Sequence, residues 1–367
     1  MVAGSGVSLR SEPKEAPRIM LHVGLDLSRR RLDWCLLDDD EERVETGAVA
    51  PDADALGGLV RLIELRHGRR AVMAVIESMN GARFVHDTLE RHGWEVQIAD
   101  AQRARGLAPL ACKTDKIDAW VLAELSRRDL VPAIWLPGFE QRQERERARW
   151  RLHLVKHRSS LKHRVHAQLM AFGHACPVSD LFGRQGRELL ERIDFPEPWR
   201  SDVLAAVALI DDLDSQITAI EAELKALGAD HQYVSLLVTV PGIGWVLGYT
   251  IAAEIGDIER FASPKKLCGY SGLCPRVYQS GASDRRGPLA KHGPKYLRWA
   301  LMEAATNAAK HPLYRDRYQH TKARVGRQRG AKVAQIQLAR TLTEAIWHML
   351  TRNQPFAPAS AASPLAA

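Results

Sequence analysis

The chain has 367 residues, 46% hydrophobic and 26% charged, a balance that belongs to a folding globular protein and excludes a disordered or fibrous one. This length holds two domains with proper cores, or two and a helical connector, and excludes a single small module. The formal charge is +8 with a pI near 9.3, and the excess is clustered: residues 141–167 hold nine Lys/Arg against two Glu, residues 310–332 hold eight against one Asp, and 276–298 form a third basic segment. Any one such run is more often a solvated helix face. Three together point to a polyanion, because each neutralised phosphate releases condensed counterions.

In chain order, residues 1–18 read as a loose tail without the apolar stretch of an export signal. From Met20 the pattern is strand-like: Met20–Leu27, Leu32–Leu37 as a hairpin partner and Arg43–Ala48 as a third strand. Asp54–Leu65 has helical periodicity, Ala71–Glu77 is a short apolar strand, Ala82–His92 is helical, Glu95–Ala99 is a strand and Lys116–Arg127 a helix with a broad apolar face. Strands first, then strands alternating with helices, predict an α/β domain over 19–138, closed by Pro132 and Pro137. Residues 139–230 read as a helical, partly coiled-coil connector. In it a basic helix around Arg142–Gly173 precedes Val203–Leu227, whose apolar residues at spacings of three and four must pack on a partner, from this chain or another copy. That suggests a homodimer or higher homo-oligomer. Residues 231–355 are expected to be mainly α, with a Gly-rich basic loop at 269–293, and 356–367 a frayed tail.

Two features have bland explanations. Tyr233–Ala253 carries no charge and is long enough to raise a membrane span, but Pro241-Gly242-Ile243-Gly244 interrupts it; two buried helices meeting at a tight turn explain it better, and no membrane partner is expected. Five cysteines, odd in number and without a C-x-x-C pair, argue for reduced thiols and a cytoplasmic location. His163-x-x-His166 and His174-x-Cys176 lie in a basic stretch that repels a cation, and are read as non-ligands.

Four acids stand at strand ends and a helix start, which can converge at one edge of a sheet. Asp26 ends the first strand and Glu77 a later one. Asp115 and Asp118, three apart, open a helix for which Thr114 is a suitable N-cap. Four hard carboxylates at one sheet edge select Mg2+ or Mn2+, and two such ions assist both attacking and leaving oxygens in phosphoryl transfer. Each acid alone is more often a surface charge or ion-pair partner, the reading kept for Asp33, Asp38–Asp40 and Asp100. Further on, the glycines of Pro241-Gly242-Ile243-Gly244 let backbone N–H groups approach phosphates as in helix-hairpin-helix DNA binders, or make a purely structural turn.

Gly24-Leu25-Asp26, Glu77 with Gly81, and Lys113-Thr114-Asp115-Lys116-Ile117-Asp118-Ala119 resemble the DEDD transposases of the IS110 group. So does the order of Pro241-Gly242-Ile243-Gly244, Phe261 with Leu267, Gly272-Leu273-Cys274-Pro275-Arg276, Ser280-Gly281, Arg286-Gly287 and Leu297-Arg298. The family more often has Thr-Gly and an aromatic behind the Glu, where Ser78-Met79-Asn80 stands here. The resemblance implies an RNase H-like, RuvC-type mixed sheet with helices for the N-terminal domain, with Asp26, Glu77, Asp115 and Asp118 as the metal-binding set. It also implies Ser280 as a nucleophile, donor and target DNA as substrates and an element-encoded guide RNA. On the residues alone Ser280 would be a turn serine.

The residues expected beside phosphates are Arg147, Arg151, Arg158 and Lys162 in the middle section. Gly242, Gly244, Arg276, Arg285, Arg286, Lys291, Lys295 and Arg298 are added in the C-terminal one. Two other readings stay open: a RuvC-type structure-selective nuclease that hydrolyses with water and has no need of Ser280, and a nucleic-acid-binding scaffold whose acids are incidental.

Overall fold

β1 (Leu21–Leu27) and β2 (Leu32–Leu37) form an antiparallel hairpin, its turn closed where the Ser28 amide and hydroxyl both donate to the Arg31 carbonyl oxygen at 2.8 Å. β3 (Arg43–Val49) extends the meander antiparallel to β2. After α1 (Ala53–His67), β4 (Val72–Glu77) runs parallel to β1; after α2 (Ala82–Arg91), β5 (Glu95–Ala99) runs parallel to β4. Two helices follow, α3 (Ala101–Leu107) and α4 (Asp115–Arg127). The sheet order is β3-β2-β1-β4-β5, the mixed RuvC-like arrangement expected. The computed structural model describes residues 20–39, 43–107, 115–281 and 283–358. The 1–18 tail, Asp40, Cys112, Lys113, the Thr114 cap and residues 359–367 lie outside them.

The two faces of this sheet separate by residue parity, because successive side chains of a strand point to opposite sides. Leu21, Val23 and Leu25 of β1 join Leu32, Trp34 and Leu36 of β2 and Ala74 and Ile76 of β4 in one core with Leu56, Leu59 and Ile63 of α1 and Val85 and Leu89 of α2. The opposite face carries Cys35 and Leu37 against Ala119 and Ala123 of α4, and Val75 and Ala99 against Leu122. α4 lies close because Gly24 has no side chain; a Cβ there would run into the Ala119 carbonyl and the Ala123 amide.

The chain divides between Leu136 and Pro137. In the second unit α5 (Phe139–Ala171), about 50 Å long at 1.5 Å per residue, and α7 (Trp199–Ala229) pack antiparallel, with α6 (Arg184–Arg192) between them in sequence. α7 buries Val203, Ala206, Ile210, Ile217 and Leu224 and leaves Leu204 and Leu209 outside. The partner its pattern demands is supplied within the chain by α5. One end of the pair closes on a small core of Val165, Leu169, Leu181, Leu190, Phe195 and Val203.

The larger core gathers α8 (Val234–Leu237), α9 (Trp245–Ile255), α10 (Pro264–Ser271), α11 (Lys295–Ala308), α12 (Pro312–Val325) and α13 (Gly330–Arg352). The uncharged stretch Tyr233–Ala253 is thus two buried helices at a tight turn, and no helix among the described residues is long and apolar enough to cross a membrane. The 269–293 segment differs from the expected loop. It forms an antiparallel hairpin of β6 (Pro275–Ser280) and β7 (Ser283–Leu289), whose exposed strands bury no apolar face and so carry no alternation to read.

Candidate active site

The parity that builds the core also sets the acids. His22, Gly24 and Asp26 share the α4 side of β1, and α4 runs back along them: His22 Nδ1 meets the Ser126 hydroxyl at 2.9 Å and Gly24 sits under Ala119 and Ala123. The start of α4, with Asp115 and Asp118, therefore comes to the Asp26 end. The β1–β4 register, in which Leu25 faces Ile76, continues to bring Glu77 beside Asp26 on that face. Ser78 then leaves the strand with its amide bonded to the Ala99 carbonyl at 2.8 Å.

Asp26, Glu77 and Asp118 are half-buried; the Asp115 side chain is outside the described set. Among the described residues no three His, Cys, Asp or Glu side chains close a cation site by themselves. The donor set is nevertheless all hard oxygen on one face of one edge, which fits a divalent cation of the Mg2+ type and no softer metal. One neighbouring acid takes the ion-pair role expected of it. Asp33, opposite Asp26, is buried and clasped by Arg31 through two bonds of 2.8 and 2.7 Å, so a fixed cation already neutralises a fifth acid of this face. The two-residue spacing is its only trace in the sequence.

Ser280 lies at the tip of the β6–β7 hairpin, exposed, directly opposite Ser283 and followed by Gly281 at φ 56°. Two residues back, Tyr278 pairs with Arg285, so Tyr278 and Arg285 share the face of Ser280. Arg286 pairs with Val277 on the other face and lies 3.2 Å from Asp284. Arg276 occupies the bulge. The neck is rigid: Gly272 and Gly293, at φ 71° and 77°, let backbones touch where a Cβ would meet the His292 and Tyr270 carbonyls.

Arg298 donates to the Ser271 and His292 carbonyls at 3.2 and 3.1 Å, and burial holds its pKa below the usual arginine range. This guanidinium braces the neck. The thiol of Cys268 is a core group, pushed up by burial to about 12, and no rival to a hydroxyl nucleophile.

A transposase model for DEDD elements of the IS110 type matches residues 23–173, and a second, the IS116/IS110/IS902 transposase family, matches 234–319. Together they cover more than half of the chain. The chain belongs to the IS110 family of transposases. It is similar to the transposase of insertion element IS1328 from Yersinia enterocolitica, 26% identical over 292 residues that make up 77% of this chain and 85% of that protein. It is also similar to a pilin gene-inverting protein of Moraxella lacunata, 24% identical over 349 residues, 91% of this chain and 97% of the other. The first IS110 match takes in the carboxylate edge and α5; the second takes in α8 to α12 with the serine hairpin. α6 and α7 fall between the matches.

The remaining cations of this IS110 transposase are not equivalent. Arg147, Arg151 and Arg158 of α5 are ion-paired with Glu223, Glu221 and Asp214 of α7, and the Lys162 amine sits 4.8 Å above the Phe182 ring. Four of the nine cations of the α5 run, Arg147, Arg151, Arg158 and Arg164, are thus paired with acids of α7. Arg276, Arg285 and Lys291 are exposed, while Lys295 lies 5.1 Å from the Tyr296 ring. Gly242, at φ 91°, packs against the backbone of Ala304 and Ala308, so its missing side chain serves the protein interior. Gly244 faces open space at the start of α9.

Proposed function

We propose that this transposase cuts and rejoins DNA in the cytoplasm with a carboxylate-held Mg2+ or Mn2+ and Ser280 as nucleophile, directed by an element-encoded guide RNA. The observation that carries the reading is Ser280 itself: an exposed hydroxyl at the tip of a braced hairpin, with Arg285 on its own face and Arg276 nearby. A water-driven nuclease has no use for such a group. In the reaction the serine Oγ forms a bond to phosphorus as one bridging P–O bond breaks, and the hydroxyl proton passes, directly or through solvent, to the departing oxygen. The phosphodiester count is conserved, so the reverse step reseals DNA without a nucleotide cofactor.

Serine hydroxyl is a weak nucleophile and needs activation. Arg276, Arg285, Arg286, Lys291 and Lys295 are assigned to the phosphoryl oxygens, where fixed cations stabilise developing charge. Asp26, Glu77, Asp115 and Asp118 would hold the divalent ion, which supplies Lewis acidity to phosphate oxygens when bound. Gly244, at an open helix start, is assigned to a backbone phosphate contact. Self-association as a homodimer or higher oligomer is supported by exposed Leu204, Leu209 and Leu227 on α7.

The test is to trap the protein on labelled target DNA and map the adduct by peptide mass. An adduct on Ser280, lost in Ser280→Ala, is expected. Retention of the adduct in Ser280→Ala on Ser283 or on Tyr278, which is 61% exposed on the same face, would overturn the assignment. Ser271 is no alternative, being fully buried with its hydroxyl given to the Cys268 carbonyl. Cleavage without any adduct would leave the RuvC-type nuclease.

A further inference from the structure

We propose that the α12–α13 hairpin is a separate binding surface for the phosphate backbone of duplex DNA. The inference rests on the reading that this chain acts on DNA. α12 and α13 are held inward by Tyr314, Thr321, Ala334 and Leu338, by the Thr321 hydroxyl bonded to Gln337 at 3.2 Å and by a turn so close that a Cβ on Gly330 would strike the Lys322 carbonyl. Six cations point outward: Arg317, Lys322, Arg324, Arg327, Arg329 and Lys332 are all exposed. Of the two acids of α12 and α13, Asp316 is taken by Arg315 at 3.6 Å and Glu344 lies in the second half of α13; among the described residues none of those six has a carboxylate within ion-pair distance.

The contrast with α5 carries the argument. There, six of the nine cations of a longer basic run are ion-paired, Arg147, Arg151, Arg158 and Arg164 with acids of α7 and Arg145 and Arg149 with Glu254 of α9. Here like charges crowd α12, the turn after it and the first residues of α13 with no internal answer, an arrangement that repels itself and is relieved by a polyanion that gives up its counterions. Arg317 and Arg324 are seven residues apart, hence on nearly one azimuth and about 10.5 Å apart along the axis, and Arg327 continues from the helix end. One strand of duplex DNA presents a phosphate about every 3.4 Å of its axis, so the stripe faces roughly three phosphates.

The surface also lacks what single strands and membranes require. Single-strand binding uses exposed aromatic platforms, yet Tyr314 is buried and Tyr318 turns its hydroxyl to the Ala331 carbonyl. A membrane-surface helix needs an apolar face, and only Leu313 and Val325 are exposed large apolar residues here.

The experiment compares full-length protein with Arg317→Gln/Arg324→Gln/Arg327→Gln for binding to a labelled duplex across a salt series. The triple variant is expected to bind at least roughly tenfold more weakly at low salt, with a salt slope shallower by about 2 to 3, at about 0.9 per lost phosphate contact. In the wild-type chain, added duplex should shield Lys322 and Lys332 from acetylation, a readout that needs no variant. An unchanged slope and unshielded lysines overturn the inference while the transposase reading stands; wild-type protein that binds no DNA sinks that reading instead. Shielding by structured RNA or by anionic phosphatidylserine vesicles, but not by duplex DNA, also overturns it.

Discussion

Gly24 decides more than its size suggests. Without a side chain it lets α4 lie on β1, and only that approach carries Asp118 to the edge where Asp26 and Glu77 end their strands. In the sequence it is legible as part of Gly-x-Asp, but its reason, contact with a helix almost a hundred residues later, is not. Asp118→Asn or Asp26→Asn removes charge with little change of shape. Strand cleavage should fall on the order of 100-fold or more in either variant, with the double variant little worse because the groups act together. DNA binding should persist. Normal cleavage by the Asn variants in Mg2+ would remove these carboxylates from the mechanism. Gly24→Ala should behave differently, losing stability before chemistry, since forcing a methyl into a filled site costs roughly 1–3 kcal/mol.

At the scale of elements, strands and helices of the first unit were legible because their apolar residues keep a period of two or of nearly four. β2 and β5 fall where the pattern puts them, and β1 starts one residue later. α3, α6 and the β6–β7 hairpin were not legible: the helices are short, and the hairpin turns both faces to solvent. The charge on α5 was visible and its meaning was not, because Glu221, Glu223 and Asp214 lie on another helix. The same long-range logic buries Glu254 of α9. Arg149 grips it with two bonds of 2.7 and 3.0 Å, and Arg145 donates to the Ala253 and Glu254 carbonyls beside it. Such a pair adds little over apolar packing, but removing one member strands the other charge and costs about 3–5 kcal/mol. Glu254→Gln should therefore lower the urea midpoint markedly, whereas Glu223→Gln, whose partnership with Arg147 is exposed, should shift it little. Equal shifts would mean that the buried clasp is not what joins α5 to α9.

For the whole molecule the question is what reads sequence. On the proposed reading the exposed cations of the serine hairpin and of α12–α13 contact phosphates, and backbone contacts set affinity and register without carrying base information. If those contacts are all the protein makes, choice of a target falls to a second reader, and the proposed guide RNA, pairing with DNA, would be that reader and leave the protein to hold backbones. Protein expressed from its native locus and purified at moderate salt should then carry one dominant RNA transcribed beside its own gene, removable by ribonuclease, with the loss of sequence-selective cleavage but not of duplex binding. A random population of tRNA and ribosomal fragments would show charge alone at work. RNA-free protein that still cleaves one sequence would put recognition back in side chains, and the search would begin at the exposed face of the hairpin.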